Sequence, residues 1–415
     1  MRWLVVLTPA VVGVVSFVLS PNEDFRSSGL MAGVALSIVL AGAVLALRKP
    51  WRDRAGAAAL AGRDGVALVL VVGLVGLVEG MPTLLQERFG LLLSADDRGL
   101  LAVAALGGGF VAVGHPETGA AWASSDGVAW TRVRLPASVD GLALRALAPA
   151  AGALWAVAET ETNAGVLVEV PGLEQGWVAG SRFVHEDHGQ QPRAAAELDG
   201  QLLTFGSTYG NDVIFFRGDP HGTLVQTGPE PAGDRGHEAE DMACTDDGCV
   251  AVGSHWEPAA VFWHTTDGDD WERVHLDRDA VSAAGVATTA DGWLAVGRDH
   301  DGSAFTWRSS DGRTWELDPA LAPADTVFDG LASNGDVITA FGHDTRTDQA
   351  AMWTLDGDSW TSIELSGPAG SRIRGVAAGD GTIVAVGVEG DRLQAVAWVS
   401  TAGSAFQLVP LESAP

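Results

Sequence analysis

The sequence predicts an all-β fold, a seven-bladed β-propeller of four-stranded blades, preceded by three transmembrane α-helices. Three observations carry this. A phrase of Trp, three residues, Asp-Gly, two residues and Trp recurs along the chain. A second marker, a short apolar run ending in Ala-Val-Gly or a close variant, falls at Gly114, Ala158, Gly206, Gly253, Gly297, Gly342 and Gly387. The first 85 residues are long apolar stretches with neither marker.

The second marker recurs about every 45 residues, the length of one four-stranded propeller blade, and seven markers place the propeller in residues 100–415. The last unit shows the strands best. Ile373–Ala378 reads as the inner strand, Thr382–Gly387 as the second, Gln394–Ser400 as the third and Phe406–Leu411 as the outer one. Gly379-Asp380-Gly381, Glu389-Gly390-Asp391 and Ala402-Gly403 separate them, as turn residues separate hairpin strands. Frequent Gly and alternating polarity exclude helical repeats, which need apolar residues at a 3.6-residue period. Residues 86–99 are either a linker or a strand that closes the last blade.

The phrase stands at Trp122–Trp130, Trp263–Trp271 and Trp307–Trp315, with a shortened copy at Trp353–Trp360 and a decayed one at Trp398–Phe406. It puts one Trp on the third strand and one on the fourth, where the pair would fill the space between blades. Asp-Gly between them predicts a tight turn, both positions tolerating positive φ. In three copies the residues are Ser124, Asp126, Gly127 and Trp130; Thr265, Asp267, Gly268 and Trp271; and Ser309, Asp311, Gly312 and Trp315. Asp356, Gly357 and Trp360 are the partial copy. These resemble the Asp-box, the bacterial neuraminidase repeat of sialidase-like and sortilin-like propellers, although the chain has Ser-x-Asp-Gly-x-x-Trp where the family pattern is Ser-x-Asp-x-Gly-x-x-Trp. The resemblance covers the propeller and implies its fold. It implies a structural role for the box, far from any active site, and carries no activity over.

Trp3–Ser20, Gly29–Leu47 and Val66–Leu85 are each long enough to cross a bilayer as a helix. Val18-Leu19-Ser20-Pro21 lacks a small-residue cleavage site, so the first stretch reads as an uncleaved helix rather than a signal peptide. Arg48, Lys49, Arg52, Arg54 and Arg63 crowd the second connection, whereas Arg26 alone lies in the first. Basic loops stay cytoplasmic, which puts the amino terminus inside and the propeller outside the cell membrane.

Twenty-five basic against 53 acidic residues give a net charge of −28. Such a surface repels phosphate backbones, so nucleic acid is excluded as a partner. Cys244 and Cys249, the two cysteines, flank a predicted hairpin turn, where facing residues approach within disulfide range and an exported bond persists. Two cysteines alone do not make a closed zinc site.

Blade topology sorts the loops onto two faces. The Asp-Gly turns share one, the turn face. On the other, the loop face, the sequence is irregular and polar, as functional loops on rigid scaffolds are. There the candidate ligand-binding residues are His185, Asp187, His188, Tyr209, His237, His255, Trp256, Glu257, Arg298 and His300. His185, Asp187, His188 and His237 offer nitrogen and oxygen donors of the kind divalent cations take, in no recognised metal spacing, and exposed loops are rich in such residues anyway. No phosphate loop, Ser nucleophile elbow or His-Glu-x-x-His motif occurs, so the sequence supplies no catalytic residue, metal or cofactor. The expected function is a membrane-anchored binding module for an extracellular protein or glycan. One alternative is a sialidase-like exo-glycosidase, with Tyr209 as nucleophile and Arg193, Arg235, Arg298, Arg346 and Arg372 as candidates to hold a substrate carboxylate. The other is a cation-binding sensor or assembly platform.

Overall fold

Seven copies of one antiparallel meander account for the 28 strands of the computed structural model. It describes residues 99–411, apart from 119, 161–163, 174–175, 184–191, 208–212, 229–235, 256–258, 275, 277–279, 300–301, 319–321, 335–336, 358 and 391–393. The three apolar stretches and residues 86–98 lie outside the described residues, among which no helix is long and apolar enough to cross a membrane.

The blades cover residues 100–132, 143–183, 195–227, 237–274, 280–317, 326–363 and 372–410. Each runs inner, second, third and outer strand in sequence order, so the whole of blade 7 comes from residues 372–410. Blades 4 and 5 also share one bridge, Ser254 to Ser282. The inner strands are Leu100–Leu106, Ala143–Ala150, Ala195–Leu198, His237–Thr245, Ala280–Thr289, Thr326–Asn334 and Arg372–Gly379. Each touches the inner strand of the next blade, and the seventh touches the first. Among the described residues the ring therefore closes by packing between blades 7 and 1.

Seven core clusters are found among the described residues, one for each junction between blades. The paired aromatics fill them in one direction. Trp122 and Trp130 of blade 1 pack towards blade 7, Trp263 and Trp271 of blade 4 towards blade 3, and Trp307 and Trp315 of blade 5 towards blade 4. Trp353 and Trp360, and then Trp398 and Phe406, do the same in blades 6 and 7. Trp271 stacks on Phe215 of blade 3 with ring centroids 3.8 Å apart. Stacking of this kind adds about 1 kcal/mol to the burial of large rings.

The Asp-Gly turns use the positive φ that both positions tolerate at one of them. Only the glycines adopt it: Gly127 (79°), Gly268 (76°) and Gly312 (71°). The aspartate acts through its carboxylate. Asp126 accepts the amides of Val128 and Ala129 at 2.8 Å, and Ser124 Oγ accepts the Gly127 amide at 2.8 Å. Asp311 repeats this with Arg313 and Thr314, and those bonds, led by the Thr314 amide, hold its carboxyl down at about 2. Trp130 Nε1 closes the turn onto the Gly127 carbonyl, and Trp315 onto that of Gly312. The turn thus aims its own tryptophan at the neighbouring blade. Asp-Gly with both residues at positive φ does occur, in the first hairpins of blades 3 and 7 at Asp199-Gly200 and Asp380-Gly381. The shortened copy makes a direct hairpin, pairing Asp356 with Ser359.

The Ala-Val-Gly marker also has a steric cause. In six blades the inner strand carries a β-bulge, and the marker residue pairs with the residue just before it, as in Leu100–Gly114, Ala239–Gly253 and Phe328–Gly342. A Cβ at Gly253 would stand 1.9 Å from the Glu238 carbonyl oxygen, so blade 4 leaves no room for one there, whereas blade 2 accommodates the methyl group of Ala158 at the same position.

Two glycine variants separate turn conformation from blade contact. A Cβ at Gly312 would lie 2.4 Å from the His264 ring on blade 4, whereas Gly357 (φ 57°) faces open space. Denaturant unfolding is expected to show Gly312→Ala losing about 3 kcal/mol and Gly357→Ala only about 1 kcal/mol. Equal losses would refute the docking role of the turn.

Candidate functional site at the loop face of blades 3 to 5

The site is built from the upper ends of the blade 4 strands. His237, a candidate on the loop face, opens the inner strand of blade 4, so His237, Glu238, Glu240 and Asp241 are strand residues rather than loop residues. His255 and Arg298 are likewise on strand ends, in Gly248–His255 and Gly292–Asp299. Cross-strand pairing sets His237 opposite His255, with ring centroids 4.6 Å apart. His237 is buried, with the edge of Trp263 at 6.0 Å. Arg273 Nη1 lies 3.1 Å from His237 Nε2. A guanidinium only donates, so this ring nitrogen accepts. Next to His255, Ser254 pairs with Ser282 of blade 5, whose hydroxyl accepts Arg298 Nε at 3.3 Å. The three described candidates therefore stand on strand ends of the adjacent blades 4 and 5.

His185, Asp187, His188, Tyr209, Trp256, Glu257 and His300 lie outside the described residues. Two imidazoles are in place as possible metal ligands, and the described residues hold no cluster of three or more ligating side chains. The candidate carboxylate-binding arginines are dispersed. Arg193 bonds Glu240 at 2.7 Å, Arg372 bonds Asp348 at 2.5 Å, Arg346 lies 3.8 Å from Asp344, and Arg298 holds Ser282; Arg235 lies outside the described residues. Cys244 and Cys249 face each other across the first hairpin of blade 4 as a disulfide, Cα atoms 4.0 Å apart, on the turn face.

Two features emerge only from the register. Glu240 is the bulged residue of its inner strand, and Arg193, just before the inner strand of blade 3, reaches it across the junction. Arg193 also lies 3.8 Å from Glu238. The next residue, Asp241, is half-buried between blades, its carboxylate accepting the amides of Val286 on blade 5 at 2.9 Å and Met242 at 2.8 Å. Burial pushes its carboxyl up to about 7 despite those two bonds, and neighbouring Glu240 adds to the rise. A signal for it exists in the repeat. The units align as Ala102-Val103-Ala104, Ala146-Leu147-Ala148, Gly285-Val286-Ala287, Gly330-Leu331-Ala332 and Gly375-Val376-Ala377, and Asp241-Met242-Ala243 breaks the rule of a small first residue.

Similarity to solved structures extends over most of the chain. A structure of streptogramin B lyase matches at 12% identity and TM-score 0.53, covering 77% of this chain and 96% of its own. The BP39L lectin from Burkholderia pseudomallei matches at 11% identity and TM-score 0.56, covering 75% and 99%. At these identities the likeness shows the fold alone. No protein-family profile and no curated protein matches the sequence, so the Asp-box resemblance rests on its turn residues.

The Asp241 environment gives a pH signature. A carboxyl whose pKa rises from 3.8 to about 7 on folding adds stability that is complete below pH 3.8 and lost as the pH passes 7. Wild type should therefore lose on the order of 2 kcal/mol relative to the non-titrating Asp241→Asn variant between pH 4 and 8. Parallel denaturation midpoints of the two proteins across that range would refute this.

Proposed function

We propose that the chain is an extracytoplasmic binding module, held at a membrane by its apolar segments 3–20, 29–47 and 66–85. Its loop face around blades 3 to 5 receives a protein or glycan partner. The observation that carries the reading is the junction of His237, His255, Arg193, Glu240 and Arg298. These side chains stand on strand ends and beside inner strands fixed by ladder bonds, within about two blade widths. Donors and acceptors of both signs on rigid strands suit recognition, because little side-chain order remains to be lost on binding. The same fold serves a lectin and a lyase, so function rests on the site rather than on the fold. The dispersal of the candidate arginines over four blades, most of them engaged by carboxylates, favours recognition over glycoside cleavage.

The full-length protein in detergent, displayed on glycan arrays and used for proximity labelling on intact cells, tests this. Arg193→Glu and His255→Ala are each expected to reduce partner capture at least tenfold, or about 1.4 kcal/mol, with circular dichroism unchanged. Capture equal to wild type in both variants would sink the loop-face assignment. Retention in the membrane pellet after carbonate extraction, with the propeller cleaved by external protease, is the expected result for anchoring and orientation. Extraction into the supernatant would remove the anchoring.

A further inference from the structure

A second feature of the loop face lies at the outer rim of blade 1, away from the axial junction. The outer strand Thr131–Arg132 continues as a ladder for one more residue, with the Val133 amide bonded to the Ala121 carbonyl at 2.9 Å. Val133 is buried in the core between blades 1 and 2, so Arg132 and Arg134, two residues apart, both turn outwards. They line an open groove of about 370 Å³ whose apolar wall includes Ala120 and Leu135 and whose far lip carries Asp140. The lip is rigid: the amides of Val139 and Asp140 both bond the Pro136 carbonyl at 2.9 Å.

These two arginines differ from the seven that sit in ion pairs. Arg145, Arg193, Arg217, Arg308, Arg313, Arg346 and Arg372 each face a carboxylate. Arg132 and Arg134 form no ion pair among the described residues, although the chain carries a net charge of −28. In a protein so rich in acids, two adjacent unneutralised guanidinium groups converging on one groove form a local reversal of the field. Guanidinium forks match a carboxylate in bidentate geometry. The overall charge disfavours a polyanion, and Asp140 opposes a multiply charged group while accepting bonds from hydroxyls. The volume is at the small end of ligand pockets.

We propose that this groove is a binding site for a singly charged, hydroxylated carboxylate, the class of uronic acid sugars. Arg132 and Arg134 hold the carboxylate, Asp140 accepts from ring hydroxyls, and the sugar's apolar face rests on Leu135. This site is separate from the axial junction and does not depend on it.

Saturation-transfer NMR and calorimetry on the full-length protein in detergent, with D-glucuronate as probe and D-glucose as its uncharged counterpart, test the assignment. Glucuronate is expected to bind saturably with Kd near about 1 mM and glucose not at all. Arg132→Gln with Arg134→Gln should weaken glucuronate at least tenfold and leave the unfolding midpoint unchanged, since both side chains are exposed. Asp140→Asn should weaken glucuronate less than it strengthens inorganic phosphate. Arg193→Glu should leave glucuronate binding intact, which separates this site from the axial one. Three results would each overturn the proposal: no saturable glucuronate binding, equal binding by the double variant, or phosphate binding the wild-type groove more tightly than glucuronate.

Discussion

Close approach of seven inner strands in a closed ring is the constraint on which the rest depends. Each inner strand must pass its backbone beside the next, and side chains there have little space. A Cβ at Gly285 would stand 2.6 Å from the Leu331 amide nitrogen of blade 6, and one at Gly375 would stand 3.2 Å from Ala102 Cα of blade 1. The bulge at the head of six of the inner strands adds twist and lifts one residue out of the ladder. The lifted residues include Arg145, Glu240, Asp329 and Arg374, so the device that relieves crowding also decorates the loop face with charge. Much of that charge is matched locally, as in Arg145–Glu159 at 2.8 Å and His343–Asp329 at 3.2 Å.

Farther out, where the blades diverge, the problem reverses and space has to be filled. The tryptophan pairs do this, always towards the preceding blade, and the capped Asp-Gly turns fix their angle of entry. Blades 2 and 3 lack the phrase and fill their shared junction with Trp155, Phe183 and Phe216 instead. Stability is then a sum of junctions between neighbours, as in other repeat architectures.

The repeats made the scaffold legible. Blade number, strand order in the last unit and the burial of Trp122, Trp263 and Trp307 follow from period and turn chemistry, because every unit solves the same packing problem. The site was less legible. His237 to Asp241 reads as a loop because polar residues dominate it, yet the strand runs through them, with His237 and Ala239 buried and Glu238 and Glu240 partly exposed. The Arg193–Glu240 contact depends on how bulges set the register between two blades, which no single unit displays. Asp241 could have been found by aligning the units, since it stands where other inner strands carry Gly or Ala. The pairing of His237 with His255 joins residues 18 positions apart through a hairpin whose upper extent only the structure defines.

Closure by packing among the described residues has a mechanical consequence. The described chain enters the ring at Gly99, whose carbonyl accepts the His115 amide at 3.0 Å and where an added Cβ would run into Val388 of blade 7. The described chain therefore begins at the seam itself. A pull applied at Gly99 would act first on the contact between blades 7 and 1, and only then on the ladder of blade 1. Among the described residues no strand is shared across that seam, so its resistance comes from the cluster around Leu100, Phe110, Trp122 and Val386. Under load the ring would part there like a clasp, one junction wide, with the seven blades still joined through the other six junctions.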